Sequence, residues 1–185
     1  MTRRLLRITL IGLVALVALA AVLPSLSAAV GLNISFDEPT ATSGISVAGE
    51  CTHEGVTLVI DYGREAERKP EVLCAKGFNG TGWELFNAVS RKVEGTQQYP
   101  TGFVCRVNGY PSDAEQDCEN TPTRKQGTWT YFNMAAGQKP VWRFSMQGAG
   151  VRKPECGSVE GWVFSSSSTP LNHPRVAPQP FICGK

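Results

Sequence analysis

Several short runs of apolar, β-branched and aromatic residues lie beyond residue 50, separated by segments rich in Gly, Pro and polar residues, and this pattern is typical of β-strands. The segment 56–62 differs, because Leu58, Val59 and Ile60 are consecutive, which predicts an inner strand buried on both faces. Further strands are predicted at 102–107 and 159–164. A hairpin is predicted from the aromatic segments 128–134 and 141–146, which flank a loop at 135–140.

One stretch has the period of a helix instead. Thr81 and Glu84 form a capping-box pattern, which predicts a helix start. Apolar residues then recur every three or four positions on one face: Trp83, Leu85, Phe86, Val89 and Val93. Arg91, Lys92 and Gly95 suit a helix end. Together with four to six strands, this amphipathic helix predicts an α+β fold in which the helix packs on a small mixed or antiparallel sheet.

The two ends of the chain have a different composition. Residues 1–29 start with basic residues, continue with an apolar run of about 16 residues and end with small residues at Ser27 and Ala29, which predicts a signal peptide. A retained membrane anchor is the alternative. Residues 30–50 predict an irregular N-terminal segment or a weak edge strand. The Pro- and Ser-rich tail, 165–185, predicts no regular structure, and Cys183 should tie it back to a domain at 51–164.

Removal of the leader changes the charge of the chain. Arg3, Arg4 and Arg7 leave with it, so 18 basic residues become 15 against 16 acidic ones, and the net charge changes from +2 to −1. A mature chain near neutrality has no basic stripe, which argues against nucleic acid as a partner. The mature sequence also has no second long apolar run, so no membrane span is predicted in it, and we expect a secreted or extracytoplasmic protein.

Six cysteines lie beyond the leader, and exported thiols usually pair. We expect nearest-neighbour disulfides, although other pairings are consistent with the sequence. The expected bridges are Cys51–Cys74, Cys105–Cys118 and Cys156–Cys183. Zinc is the competing explanation, but no two cysteines are two to four residues apart, so we predict no metal site.

The sequence has no motif for catalysis. His53 lies in a loop beside a cysteine and His173 lies in the tail, and neither has a nucleophile motif near it. The carboxylates Asp61 and Glu160 carry no signature that marks them as an acid–base pair. We therefore predict that the protein is not an enzyme, and a hydrolytic enzyme is the third alternative after two classes of binding protein.

Aromatic side chains are the remaining candidates for a site. Trp129 and Tyr131 share one face of their predicted strand, and Phe132 and Met134 share the other. Such a strand can bury one face and offer the other to a flat ligand or a partner, and the alternative is that both faces are core. The candidate ligand-binding residues are Trp129, Tyr131, Trp142 and Trp162. Arg106 and Arg143, opposite the apolar sets of their strands, are expected in solvent.

Four segments in order, 81–89, 103–111, 129–131 and 154–164, resemble the transcobalamin C-terminal-like domain, most closely in exported actinobacterial proteins. The closing Gly157-Ser-Val-Glu-Gly-Trp162 motif is the most specific part. The chain departs from this pattern in a reduced aromatic run at 127–132 and in Cys156, which looks like one half of an added bridge to Cys183. The resemblance implies a helix packed on a small sheet and, since that domain helps to close over a corrinoid in transcobalamins, a corrinoid-like ligand.

Two functions therefore stay open at the level of the sequence. The first is a secreted, non-catalytic binding module that presents a small molecule, corrinoid-like or another cofactor, to an uptake system. The second is an envelope or secreted interaction protein whose aromatic residues are core and whose partner is another extracytoplasmic protein. An exposed apolar patch over the Trp129 strand favours the first, and a covered sheet with an open edge strand favours the second.

Overall fold

A computed structural model describes residues 45–184 of the chain. The predicted signal peptide, 1–29, and most of the predicted N-terminal segment, 30–50, lie outside the described residues. Six strands form one mixed sheet in the order β1-β3-β2-β8-β6-β7, and two more strands, β4 and β5, form a small antiparallel sheet. The strands are β1 (Ile45–Ala48), β2 (Val56–Asp61), β3 (Glu71–Lys76), β4 (Val93–Gly95), β5 (Val104–Val107), β6 (Thr128–Met134), β7 (Arg143–Phe144) and β8 (Val159–Ser165).

Strand β2 is the inner strand that its three consecutive apolar residues predict. All six of its residues are buried. It pairs antiparallel with β3 on one side and parallel with β8 on the other, where Thr57 lies opposite Val159. The predicted mixed or antiparallel sheet of four to six strands is confirmed as a mixed sheet of six, whereas β3 and β4 were not predicted from the sequence.

The predicted helix from Thr81 to Gly95 is not confirmed. Within this predicted span, the structure forms a helix, α1, at Glu84–Ala88 alone. The capping-box pattern is real, since the Thr81 N–H donates to Glu84 Oε2 over 2.7 Å and the Glu84 N–H donates to Thr81 Oγ1 over 3.3 Å. The error lies at the other end, because Val93 and Gly95 belong to β4 rather than to a third helical turn.

Helix α1 ends before Ser90 for a local reason. Ser90 has a φ of 58°, and its N–H donates to Asn87 O while the Arg91 N–H donates to Phe86 O. These two bonds are the Schellman pattern that closes a helix. Val93 still packs against the main core, but it does so from strand β4. The helical spacing of apolar residues in the sequence therefore extends beyond the point where the helix ends.

The main core lies on one face of the six-stranded sheet. Leu85, Phe86 and Val89 from the helical segment cover Leu58 and Ile60 of β2 there. A smaller cluster on the opposite face contains Val59, Met134 and Val159. The sheet is therefore covered on both faces over its centre.

The Pro-rich tail forms part of the covering of the second face. It has no regular structure, as predicted. Arg175 holds the buried carboxylate of Asp61, with 2.6 Å from Arg175 Nη2 to Asp61 Oδ1. The Trp142 indole N–H donates to Val176 O over 3.0 Å, which fixes the tail to the connection before β7.

The three predicted disulfides are all present: Cys51–Cys74, Cys105–Cys118 and Cys156–Cys183. The first joins the segment before β2 to β3, and the third ties the end of the tail to the segment before β8. Within residues 45–184, no helix is both long enough and apolar enough to cross a bilayer.

The prediction that Arg106 is solvated was wrong. Its side chain is buried on β5, where Nε donates to Pro111 O over 2.6 Å and Nη2 donates to Gln116 O over 2.6 Å. Glu94 of β4 supplies a carboxylate at 3.1 Å. Arg106 thus organises the loop that the Cys105–Cys118 bridge closes. Arg143 is exposed, as predicted.

Candidate functional site

A groove with a volume of about 490 Å³ lies beside β6, at the end of the large sheet. This volume is within the range of small-molecule sites, which is roughly 300–1,000 Å³. The groove has an aromatic floor, a wall from the segment before β5 and a wall from the chain after β7. Its apolar lining includes Phe103, Trp129, Tyr131, Phe144, Met146 and Trp162.

The groove follows the backbone edge of β6 rather than one face of the sheet. Its lining includes Thr128, Trp129, Thr130 and Tyr131, which are consecutive. Successive side chains of a strand point to opposite faces, so a groove on one face would touch only every second residue. Contact with four in a row places the groove along the strand's outer edge.

The floor of the groove is a rigid aromatic assembly. The rings of Tyr131 and Trp162 stack with their centroids 4.5 Å apart and an 8° angle between their planes. Trp129 meets Phe164 edge-on at 5.5 Å, and its indole N–H donates to Tyr110 O over 3.3 Å. Trp129, Tyr131 and Trp162, which line the groove, are each at least nine-tenths buried, so only a small part of each side chain is open to it.

The rim of the groove is exposed and apolar. Met146 is 90% exposed and Phe144 is 60% exposed. The Phe144 ring meets Phe132 edge-on at 6.0 Å, so it rests on the sheet while its outer side faces solvent. Large apolar side chains that cluster in solvent around a groove mark an interaction site more often than scattered ones do.

The Trp162 indole nitrogen is a buried donor for which the described residues provide no acceptor. Trp162 is only 4% exposed, yet its Nε1–H has no acceptor among the described residues. A buried donor without an acceptor destabilises the fold by about 1–3 kcal/mol.

A buried ion pair anchors the wall of the groove that follows β7. Glu160 is fully buried on β8, and Arg152 grips it with Nε–Oε2 and Nη2–Oε1 distances of 2.9 Å each. The Tyr131 hydroxyl donates to the same carboxylate, and the Ser158 hydroxyl lies 3.3 Å from it. The Arg152 and Ala149 carbonyls accept from the backbone N–H groups of residues 82 and 83, which ties this wall to the helix start.

Burial and the ion pair act on these groups in opposite directions. Desolvation raises the pKa of the Glu160 carboxyl, and Arg152 and the two hydroxyls oppose that rise. The hydrogen bonds to Glu160 raise the pKa of Arg152, which keeps the guanidinium charged. Burial, followed by the neighbouring Glu160, raises the pKa of Tyr131. Tyr131 is therefore a neutral hydrogen-bond donor. Arg152, Tyr131 and Ser158 hold the Glu160 carboxylate in place rather than free it for proton transfer.

The structure brings together three of the four predicted ligand residues. Trp129, Tyr131 and Trp162 line the groove. Trp142 lies apart from them, because it packs on the opposite face against Val59 and under the tail. Whether any of the four binds a ligand stays a prediction.

Sequence reasoning missed Arg152, Phe144 and Met146 as parts of this site. Glu160 gave a usable signal, since a charged residue inside an otherwise apolar strand requires a buried partner. Nothing local identified that partner as Arg152. The two histidines are both exposed and lie away from the groove: His53 lines a cleft beside the Cys51–Cys74 bridge, and His173 Nδ1 contacts Pro174 O. No cluster of metal-ligating side chains occurs within 45–184.

No protein-family model, curated protein or solved structure matches this chain. The resemblance to the transcobalamin C-terminal-like domain therefore stays a prediction, based on the segments that carry it.

Proposed function

We propose that this chain is an exported, non-catalytic binding module and that the groove beside β6 is its binding site. The observation that carries the proposal is the combination, in one cavity of about 490 Å³, of an aromatic floor and a rim in which Met146 is 90% exposed. Exposing such a side chain in water has no structural benefit, whereas covering it on binding contributes favourable apolar burial.

Export is part of the same proposal. Three disulfides within a small domain suit an oxidising compartment outside the cytoplasm. The leader-like residues 1–29 support the same location.

Each class of ligand that the sequence leaves open has a feature in its favour. A small molecule with a flat ring system, corrinoid-like or another cofactor, would find the aromatic lining formed by Trp129, Tyr131 and Trp162. A partner protein would find the apolar rim and the uncovered edge of β6. Both are binding functions of the same groove.

A fluorescence titration tests the proposal, because two of the four tryptophans lie in the groove floor. The probes are cobalamin, a flavin, haem and the apolar dye anilinonaphthalene sulfonate, with thermal shift as the second readout. We expect at least one probe to bind saturably to the wild type and to bind Met146→Lys at least tenfold more weakly.

Val141→Lys is the matched control, since Val141 is 60% exposed and does not line the groove. It should bind like the wild type. Equal affinities in the two variants would place the binding elsewhere and refute the groove as the site.

A further inference from the structure

The outer edge of β6 is only half covered. Strand β7 pairs with it at Phe132 and Asn133. Beyond these two residues, the Ser145 N–H donates to Tyr131 O over 2.9 Å, and the chain then leaves the sheet. Between Thr128 and Thr130, no strand among the described residues pairs with this edge.

The period of the strand shows which backbone groups are open. The backbone N–H and C=O groups of successive residues in a strand point to opposite edges, so residues two apart point to the same edge. The backbone groups of Tyr131 and Asn133 point away from β8, toward β7. Trp129, two residues earlier, must therefore point the same way. The Trp129 N–H and C=O and the Tyr131 N–H have no backbone partner within the described part of the chain.

These open groups lie in the groove, not on a flat rim, because residues 128–131 are all part of its lining. A ligand in the groove thus meets a short ladder of donor, acceptor and donor with the spacing of a β-strand. A compact small molecule matches one or two such groups, whereas an extended peptide matches all of them in register.

We propose that the ligand of the groove is an extended peptide segment of a partner protein, which adds to the outer edge of β6 as a further strand. This inference rests on the proposed function, since it names the class of ligand for the same groove. The hydrogen bonds come from the peptide backbone, and the peptide's sequence enters through its side chains.

The walls determine which side chains suit the groove. Successive residues of an added strand point to opposite sides of it, and the lining of the groove includes the apolar side chains of Phe103, Phe144 and Met146. We therefore expect preference for a segment with β-branched or aromatic residues at alternate positions. Proline should be excluded from the positions whose N–H faces β6, because it has no donor there.

The test uses fluorescein-labelled peptides of about eight residues in which valine or phenylalanine alternates with threonine, with neutral, acidic or basic flanks. Each peptide has a partner of identical sequence in which the three central amides are N-methylated. Binding to the full mature protein is followed by fluorescence polarisation. We expect saturable binding of at least one unmodified peptide, at least tenfold weaker binding of its N-methylated partner, and a similar loss with Met146→Lys but not with Val141→Lys.

Backbone hydrogen exchange gives an independent readout by NMR. Peptide binding should slow exchange at the Trp129 and Tyr131 amides at least tenfold. The Asn133 amide, which already faces β7, serves as the internal control and should change little.

The outcomes separate this inference from the proposed function. If a peptide and its N-methylated partner bind equally, or if only cobalamin or the apolar dye binds at the groove, strand addition is refuted while the binding site stands. If neither peptides nor small molecules bind, both proposals fail.

Discussion

Replacing Arg152 by methionine would leave the carboxylate of Glu160 buried without its counter-charge. Glu160 is 0% exposed and Arg152 is 21% exposed, so Glu160 cannot reach water while the Arg152 side chain can in part. Breaking a buried ion pair by removal of one partner destabilises a protein by about 3–5 kcal/mol. Because Arg152 is partly solvated already, we expect the lower end, about 3 kcal/mol in the free energy of unfolding.

Urea unfolding at neutral pH, followed by tryptophan fluorescence, measures this change. Arg143→Met is the matched control, since Arg143 is exposed on β7, and it should stay within about 0.5 kcal/mol of the wild type. Adding Glu160→Gln to Arg152→Met removes the stranded charge, so the double variant should regain at least half of the lost stability.

The stability of Arg152→Met should depend on pH through the protonation of Glu160. Burial raises the pKa of Glu160, and loss of Arg152 removes the group that most opposes that rise. As the pH falls, Glu160 becomes protonated in the variant, and the difference in stability from the wild type should shrink. A loss below about 1 kcal/mol, or a double variant no more stable than Arg152→Met alone, would refute the view that this pair holds the wall of the groove.

Three further predictions concern the tail and the core. Gly161→Ala should destabilise by about 1–3 kcal/mol in urea unfolding, because its Cβ would overlap the ring of Trp142, and Trp142→Leu should relieve most of that loss. Replacing Cys156 and Cys183 together by serine should lower the free energy of unfolding by roughly 3.5 kcal/mol, given a sequence separation of 27. The tail should then be the first segment cut in limited proteolysis, and an undigested tail would contradict the view that this disulfide holds it to the domain. Burial, helped by Glu71, raises the pKa of the Tyr62 hydroxyl to about 12. The stability that this shift contributes is complete below the unfolded pKa of 10 and is lost as the pH rises toward 12. In Tyr62→Phe the free energy of unfolding should therefore fall less steeply over this pH range, and an unchanged slope would contradict the prediction.

Much of the sheet could be predicted from the sequence because its signals are local. Three consecutive apolar residues at 58–60 marked the inner strand, alternation marked β5, and short apolar and aromatic runs marked β6 and β8. The capping box at Thr81 and Glu84 also formed as its spacing predicted. Each of these patterns depends on residues within a few positions of one another, so the order of residues alone carries it.

The tertiary structure decided where these elements meet. Val93 has the spacing of a helix face, but pairing with β5 placed it in a strand. Trp142 alternates like the other aromatic residues, but it packs on the opposite face of the sheet from Trp129 and Tyr131, where the tail covers it. Arg106 and Arg152 found buried partners that no local pattern names.

The groove itself belongs to this second class. Which edge of β6 stays open depends on β8 occupying the other edge and on β7 being only two residues long. The place of β8 depends in turn on its parallel pairing with β2, which is about a hundred residues earlier in the chain. Alternation in the sequence determined that Trp129 and Tyr131 share a face of their strand. Contacts between distant segments determined that the backbone of these residues borders a groove. The physical reason is that strand order follows from long-range pairing and not from local preference.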